Sequence, residues 1–286
     1  MNRRKFLRLS SILAASVALG SCSSESGNFY RFGGQVKRLK ESLLGDGFTG
    51  VTFIGDSITW GTGTGQGPNP NPRSGTLADP RDNFSSESFV NNFKRYVGGT
   101  FLPSVEPVLA NWPSSPSGQS IAEYVRGGKR IRVSNQGING ASTYSYASRN
   151  LIAGSKNSFA LMPSDNFAVV QIGTNDRGIL DRNPKNAREL ADRVKGIVLG
   201  IKKNCDVILM CPNRDIPVTG KSYQYGMDEV RLAILMAAQE CGVDFIDNFS
   251  AFPARGASEF LADGLHPNIQ GHRLISDNIQ RAIELS

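Results

Sequence analysis

Val51-Thr52-Phe53-Ile54-Gly55-Asp56-Ser57-Ile58 is the stretch on which the reading of this chain turns. Val51–Ile54 is a short run of β-branched and aromatic residues, the kind buried on both faces of a parallel sheet. It stops at Gly55, and a serine stands two residues later. Near the other end of the chain lies Asp263-Gly264-Leu265-His266-Pro267. A serine hydroxyl is a poor nucleophile until a base takes its proton, and the base works best when a carboxylate orients it. Ser57, His266 and Asp263 are therefore candidates for nucleophile, general base and orienting acid. The chain has 2 histidines. The other, His272, falls in the last predicted helix and reads as structural.

Outward from this stretch, the pattern alternates strand and helix. A short helix over 36–44 stops at Gly45. Ser85 could cap a helix running to about Val97. Strands are predicted at Arg130–Asn135, Phe167–Ile172, Asp206–Met210 and Val243–Asp247. Helices are predicted at Asn186–Lys203, at 226–240 and from about Pro267 to Glu284. This order argues for an α/β fold, a parallel sheet covered on both faces. Residues 61–83 (rich in Gly, Pro and Asn) and 98–120 read as loop insertions. Ligands of such sheets bind beyond the carboxyl ends of the strands. Ser57, Gly137 and Asn175 each follow a predicted strand, so the topology gathers them on one edge.

Gly55-Asp56-Ser57-Ile58, Gly137, Gly173-Thr174-Asn175-Asp176 and Asp263-Gly264-Leu265-His266 together resemble, in order and spacing, the four blocks of the SGNH or GDSL-type hydrolases. The resemblance covers nearly the whole domain. It implies a three-layer, flavodoxin-like sandwich around a parallel sheet of about five strands. It also implies a serine esterase that works through an acyl-enzyme without cofactor or metal. The backbone N–H groups of Ser57 and Gly137 and the side-chain amide of Asn175 would bind the oxyanion. The chemistry agrees: glycine permits close approach, and an amide donates without acting as a base. Asp56 and Asp176 read as loop ties through backbone N–H groups.

The substrate is less sharply written. The resemblance admits acetylated polysaccharides, lysophospholipids, thioesters and aryl esters. Trp60, Trp112 and Tyr144 offer flat surfaces for sugars, unless they pack into the core. Little near Ser57 looks able to hold a fatty chain, which favours short acyl groups, acetyl above all, on a carbohydrate. A lipase or lysophospholipase is the alternative activity. A non-catalytic, glycan-binding lipoprotein on the same scaffold is the alternative of another class.

The amino-terminal end concerns location. Arg3, Arg4, Lys5 and Arg8 form a basic part, and Leu7 to Leu19 is a mostly apolar stretch too short to span a bilayer and suited to a signal peptide over residues 1–21. Asn2-Arg3-Arg4-Lys5-Phe6-Leu7-Arg8 resembles a twin-arginine signal, with the general secretory route left open. Leu19-Gly20-Ser21-Cys22 resembles a bacterial lipoprotein cleavage box. It implies lipid on Cys22, residues 22–35 as a tether, and a domain over 36–286 held at the cell envelope by the anchor, on the outer membrane in a Gram-negative host. The formal charge is +7. Without the leader's four basic residues it is 28 basic against 25 acidic, or +3. That is too mild for a nucleic-acid partner. Cys205, Cys211 and Cys241 fit no zinc spacing. Cys205 and Cys241 precede predicted strands, and either a disulfide or two buried thiols would fit.

Overall fold

The computed structural model describes residues 28–64, 81, 84–110, 120–147, 164–216 and 222–286. The leader with Cys22, Trp112 and most of the 61–83 insertion lie outside the described residues. The five strands expected from the sequence are all present and form the parallel centre of the sheet. They are β2 (Phe48–Gly55), β5 (Lys129–Gly137), β6 (Phe167–Gln171), β7 (Asp206–Cys211) and β8 (Phe245–Asp247). Three further strands make the sheet mixed and eight-stranded: β1 (Phe29–Tyr30), β3 (Val108–Ala110) and β4 (Ile121–Arg126). The order is β1-β8-β7-β6-β2-β5-β4-β3, with β1, β3 and β4 antiparallel to their neighbours.

Alternation along each central strand splits the core into two layers. Val51 and Phe53 of β2, Val169 of β6 and Ile208 and Met210 of β7 face one side. There they meet α1 (Gln35–Leu44), α3 (Phe89–Phe101) and α8 (Ile269–Glu284). Phe53 contributes edge-on contacts to Phe89 and Phe93, at centroid distances of 5.7 and 5.1 Å. Ile54, Ala168, Val170, Val207 and Leu209 face the other side, under α5 (Ala187–Ile201) and α6 (Met227–Cys241). Continuous apolar runs are thus explained by burial on both faces. The shorter elements among the described residues are the one-turn helices α2 (Ser57–Trp60), α4 (Thr143–Ala147) and α7 (Asn248–Ala251) and the 3-10 turns Asn175–Arg177 and Ala257–Phe260. No helix among the described residues is long and apolar enough to cross a membrane.

Several expectations need correction. Residues 98–120, read as loop, carry the end of α3 and strand β3, and beyond them the β4–β5 hairpin closes through Gly127-Gly128, a two-residue loop signal. Helix α3 is capped by Ser88, whose hydroxyl accepts from Asn91 N–H at 3.2 Å, rather than by Ser85. It runs through Gly98, where a side chain would strike the Tyr124 ring. Pro267 is not in α8: Asn268 caps the helix, and Pro267 bridges Leu261. Cys205, Cys211 and Cys241 are free thiols.

Residues 28–35, read as the end of the tether, are hydrogen-bonded into the domain. The Asp244 carboxylate collects four backbone N–H groups from this segment and from Val36 just beyond it. Oδ1 accepts from Phe32, Gly33 and Gly34 at 2.9, 3.0 and 3.0 Å, and Oδ2 from Val36 at 2.9 Å. Those of Gly34 and Val36 are orphan donors at the start of α1, satisfied from a distant strand start. Gln35 returns the favour, accepting from Asp244 N–H at 2.9 Å and donating to the Gly242 carbonyl at 3.0 Å. Asp244→Ala strands these donors in a buried site, and is expected to lower unfolding free energy by about 3 kcal/mol. Urea titration checks this, with a fall in midpoint at constant slope as the expected result.

Candidate active site

Ser57 opens α2, the turn that follows β2. Asp56 caps this turn, its Oδ1 accepting from Ile58 N–H at 3.0 Å. Gly55 and Gly137 are register partners on β2 and β5. A Cβ on Gly55 would lie 2.1 Å from Thr59 Oγ1 and 2.4 Å from the Gln171 carbonyl oxygen. One on Gly137 would lie 2.1 Å from Trp60 N. The serine turn therefore sits flush on the strand ends because both positions lack side chains. Thr59 Oγ1 donates to Gln171 Oε1 at 3.0 Å and fixes the turn to β6.

His266 arrives on a separate loop. Leu261 and Pro267 bridge, Ala262 N–H donates to the His266 carbonyl at 2.8 Å, and Gly264 takes a φ of 84° at the tip. The loop after β7 braces it: Ile216 N–H donates to the Gly264 carbonyl at 2.9 Å, and Asn213 Nδ2 to the Leu265 carbonyl at 3.0 Å. Asp263 Oδ1 accepts from the N–H groups of Leu265 and His266 at 3.0 and 2.8 Å. Asp263 Oδ2 lies 2.8 Å from His266 Nδ1, and His266 Nε2 lies 2.9 Å from Ser57 Oγ. The structure thus brings the three sequence-selected residues into one hydrogen-bonded line. A carboxylate on Nδ1 keeps the proton there and leaves the Nε2 lone pair for the serine hydroxyl. That imidazole bond holds the Asp263 carboxyl well below the usual carboxylate range. Ser57 is 3% exposed, with its partner imidazole at 18%.

The second histidine has a different task. His272 is buried and stacks on Phe89. Its Nδ1 accepts from Phe89 N–H at 3.3 Å, so Nε2 carries the proton and donates to the Thr62 carbonyl at 2.9 Å. Burial lowers its pKa to about 4. It holds the turn after α2 in place as a neutral ring.

The predicted oxyanion donors separate. Asn175 lies just beyond β6, half-buried, with Nδ2 donating one hydrogen to the Ala141 carbonyl at 2.8 Å. An amide nitrogen has a second hydrogen to offer. Among the described residues nothing engages Ser57 N–H. Gly137 is a correction: its buried N–H donates to Asn135 Oδ1 at 2.9 Å and is not available. Its missing side chain admits α2, not a substrate. Gly140, in the Asn139-Gly140 turn just beyond, is exposed at φ 76° with no N–H partner among the described residues. A turn dipeptide at the carboxyl edge was the available signal for it. Asp176 accepts from Thr143 N–H at 3.0 Å and from its hydroxyl, tying the Gly140 loop to the Asn175 loop. Trp60 is 2% exposed and packs in the core, so it offers no sugar surface. Tyr144 is exposed, with the Arg182 guanidinium 5.1 Å from its ring centre.

A model of the GDSL-like Lipase/Acylhydrolase family matches residues 110–274. The match begins after Ser57 and includes Gly140, Asn175, Asp263 and His266. No curated protein matches the chain. Among solved structures, an acetylxylan esterase from Geobacillus stearothermophilus is similar with 19% identity and a TM-score of 0.53, over 84% of this chain and 95% of that one. A lipase/acylhydrolase from Enterococcus faecalis is similar with 21% identity and a TM-score of 0.55, over 82% and 95%. At such identities the likeness is one of fold.

Asp56 has a pH consequence. Burial lifts its carboxyl from 3.8 to about 6, against the Ile58 N–H, the Thr174 hydroxyl and His266, with Asp176 adding to the rise. The folded state therefore holds this proton more tightly than the unfolded chain does. Its stability is highest below the unfolded value and is lost as pH rises toward about 6. Asp56→Asn keeps the cap and removes the charge. Measured against that variant, the native chain should lose about 3 kcal/mol of unfolding free energy between about pH 4 and about pH 7. Urea midpoints at the two pH values read this; parallel curves for both proteins would refute it.

Proposed function

This chain belongs to the GDSL-like lipase/acylhydrolase family and is a carboxylic ester hydrolase, and on that premise we propose that it removes short acyl groups, acetyl above all, from a carbohydrate. The line Asp263–His266–Ser57, with contacts of 2.8 and 2.9 Å, is the observation that carries the mechanism. Ser57 Oγ attacks the ester carbonyl carbon while its proton passes to His266 Nε2. Asp263 steadies the resulting imidazolium. The N–H groups of Ser57 and Gly140 and the second Nδ2 hydrogen of Asn175 receive the oxyanion. The tetrahedral intermediate collapses by breaking the bond to the alcohol oxygen, which takes the proton from Nε2. Water, deprotonated by the same nitrogen, attacks the acyl-serine and releases the acid and Ser57.

Two features support a short acyl group on a sugar. The insertion after the nucleophile, residues 61–83, contains one Leu, Leu77, and no aromatic residue. One solved relative of this fold acts, by its description, on acetylxylan. A longer-chain lipase is the second reading, supported by the Enterococcus faecalis relative. The leader and Cys22 support export and lipid anchoring at the cell envelope, and with them a substrate outside the cytoplasm.

Turnover of chromogenic acetyl, butyryl and octanoyl esters separates these readings. Acetate is expected to be fastest; an octanoyl preference would give the second reading. Ser57→Ala is expected to lower kcat by about 10⁴-fold or more. Asn175→Ala, which removes one oxyanion donor, should cost about 10²–10³ in kcat. If the parent chain were no faster than Ser57→Ala on any ester, yet bound acetylated glycans, it would be a binding protein. Cys22→Ala is expected to release the protein from the membrane fraction; unchanged partition would remove the anchor.

A further inference from the structure

The path of the first described residues fixes where the chain enters the domain. Strand β1 runs antiparallel to β8, pairing Phe29 with Ile246 and Tyr30 with Phe245. The Asn28 carbonyl accepts from the N–H of Asp247, the last residue of β8, at 2.9 Å. Residue 28 therefore stands at the carboxyl edge of the sheet, the edge that also carries Ser57, Gly140 and Asn175. In the order β1-β8-β7-β6-β2, four strand spacings separate the entering strand from β2. That is about 19 Å along the edge. Five residues, Ser23 to Gly27, lie between Cys22 and Asn28. Fully extended, this length of chain reaches about 20 Å. An acyl anchor on Cys22 would thus hold the catalytic edge close to the bilayer.

The same edge presents apolar side chains to solvent. Ile179 and Leu180, in the loop beyond Asn175, are 65% and 50% exposed, and Tyr144, beyond Gly140, is 48% exposed. Arg182 covers the Tyr144 ring, and Lys185 Nζ donates to the Leu180 carbonyl at 3.0 Å. Arg182, Lys185 and Arg193, which donates to the Arg182 carbonyl, thus stand beside the apolar group, with Asp181 in the loop and the Glu189 carboxylate on Lys185 N–H at 2.9 Å. Aliphatic and aromatic side chains edged by basic ones are the composition of a surface that rests at a lipid headgroup boundary.

We propose that the carboxyl edge faces the membrane that holds the chain, with Ile179, Leu180 and Tyr144 against the lipid surface, and that the substrate is an ester displayed at that surface. The proposal rests on the lipid-anchored esterase reading above. It makes the anchor part of substrate selection: the site meets esters carried on the membrane before those free in solution.

The test uses the full chain in vesicles containing phosphatidylglycerol. Leu180→Trp and Leu44→Trp place reporters at opposite edges, since Leu44 ends α1 beside the amino end of β2 and is 63% exposed. With brominated acyl chains in the bilayer, the fluorescence added by Leu180→Trp should be quenched and that added by Leu44→Trp should not. Equal quenching, quenching at Leu44→Trp alone, or none at either site would overturn the orientation. In parallel, Ile179→Ser/Leu180→Ser should lower hydrolysis of a lipid-linked acetate in the same vesicles by about tenfold. It should leave a soluble chromogenic acetate untouched. An equal loss on both would assign the patch to the substrate site and overturn lipid contact. A parent chain inactive on both esters would refute the esterase reading while the quenching still reports orientation. The mass of the Cys22 peptide reports lipidation separately.

Discussion

Two glycines facing each other across the central strands set the conditions for everything at the catalytic edge. Gly55 ends β2 and Gly137 ends β5, in direct register. On one side the Thr59 hydroxyl, and on the other the Trp60 backbone, occupy the space where a Cβ would be. This contact lets a helical turn begin within two residues of a buried strand. The turn presents the Ser57 hydroxyl while its apolar members, Ile58 and Trp60, go into the core. A side chain at Gly137 would meet backbone, which cannot rotate away, so the relief would have to come from moving α2 and with it the nucleophile.

Given that platform, the remaining loops are located by hydrogen bonds to backbone groups rather than by apolar packing. The Gly55 carbonyl receives Ile138 N–H at 2.9 Å and the Tyr146 hydroxyl at 2.6 Å, which draws the loop after β5 toward the serine. Asp176 joins that loop to the one after β6. The loop after β7 holds the histidine loop through Gly264 and Leu265. Each bond contributes modestly, about 1 kcal/mol net. Their value is geometric: three loops from distant parts of the chain hold catalytic atoms at hydrogen-bond distance before any substrate arrives.

This division explains what the sequence disclosed. Buried parallel strands are written as apolar runs, so β2, β6 and β7 were legible. The triad was legible because serine, histidine and aspartate are chemically specific and each fell in an informative place. The edge strands were not. Strand β1 has two residues and β3 has three, too few for a period to register. Strand β4 was hidden because the proline- and serine-rich stretch before it coloured the whole segment. The glycine proposed as an oxyanion donor differs from the one expected, for a subtler reason. Gly137 and Gly140 are identical as letters; one ends β5 and the other follows three residues later. Only the Asn135 side chain, folding back onto Gly137 N–H, distinguishes the structural glycine from the one with a donor to spare. A backbone N–H leaves no mark in sequence that says whether it is already engaged.

The buried carboxylates behind the site show what that order costs. Burial raises the pKa of both Asp56 and Asp176, and the Asp176 charge adds to the rise at Asp56. A fold selected for stability alone would replace them with neutral groups. Yet each performs a task that a neutral side chain does less well. Asp56 caps the turn of the nucleophile, and Asp176 ties the Gly140 loop to Asn175 through two donors of Thr143. Charge-assisted bonds are shorter and less forgiving in direction than neutral ones. Placed one residue before Ser57 and one after Asn175, they convert electrostatic cost into fixed positions for the nucleophile and an oxyanion donor. Such local expense beside a site, with a well-packed two-layer core to absorb it, is what a structure shaped by catalysis is expected to carry.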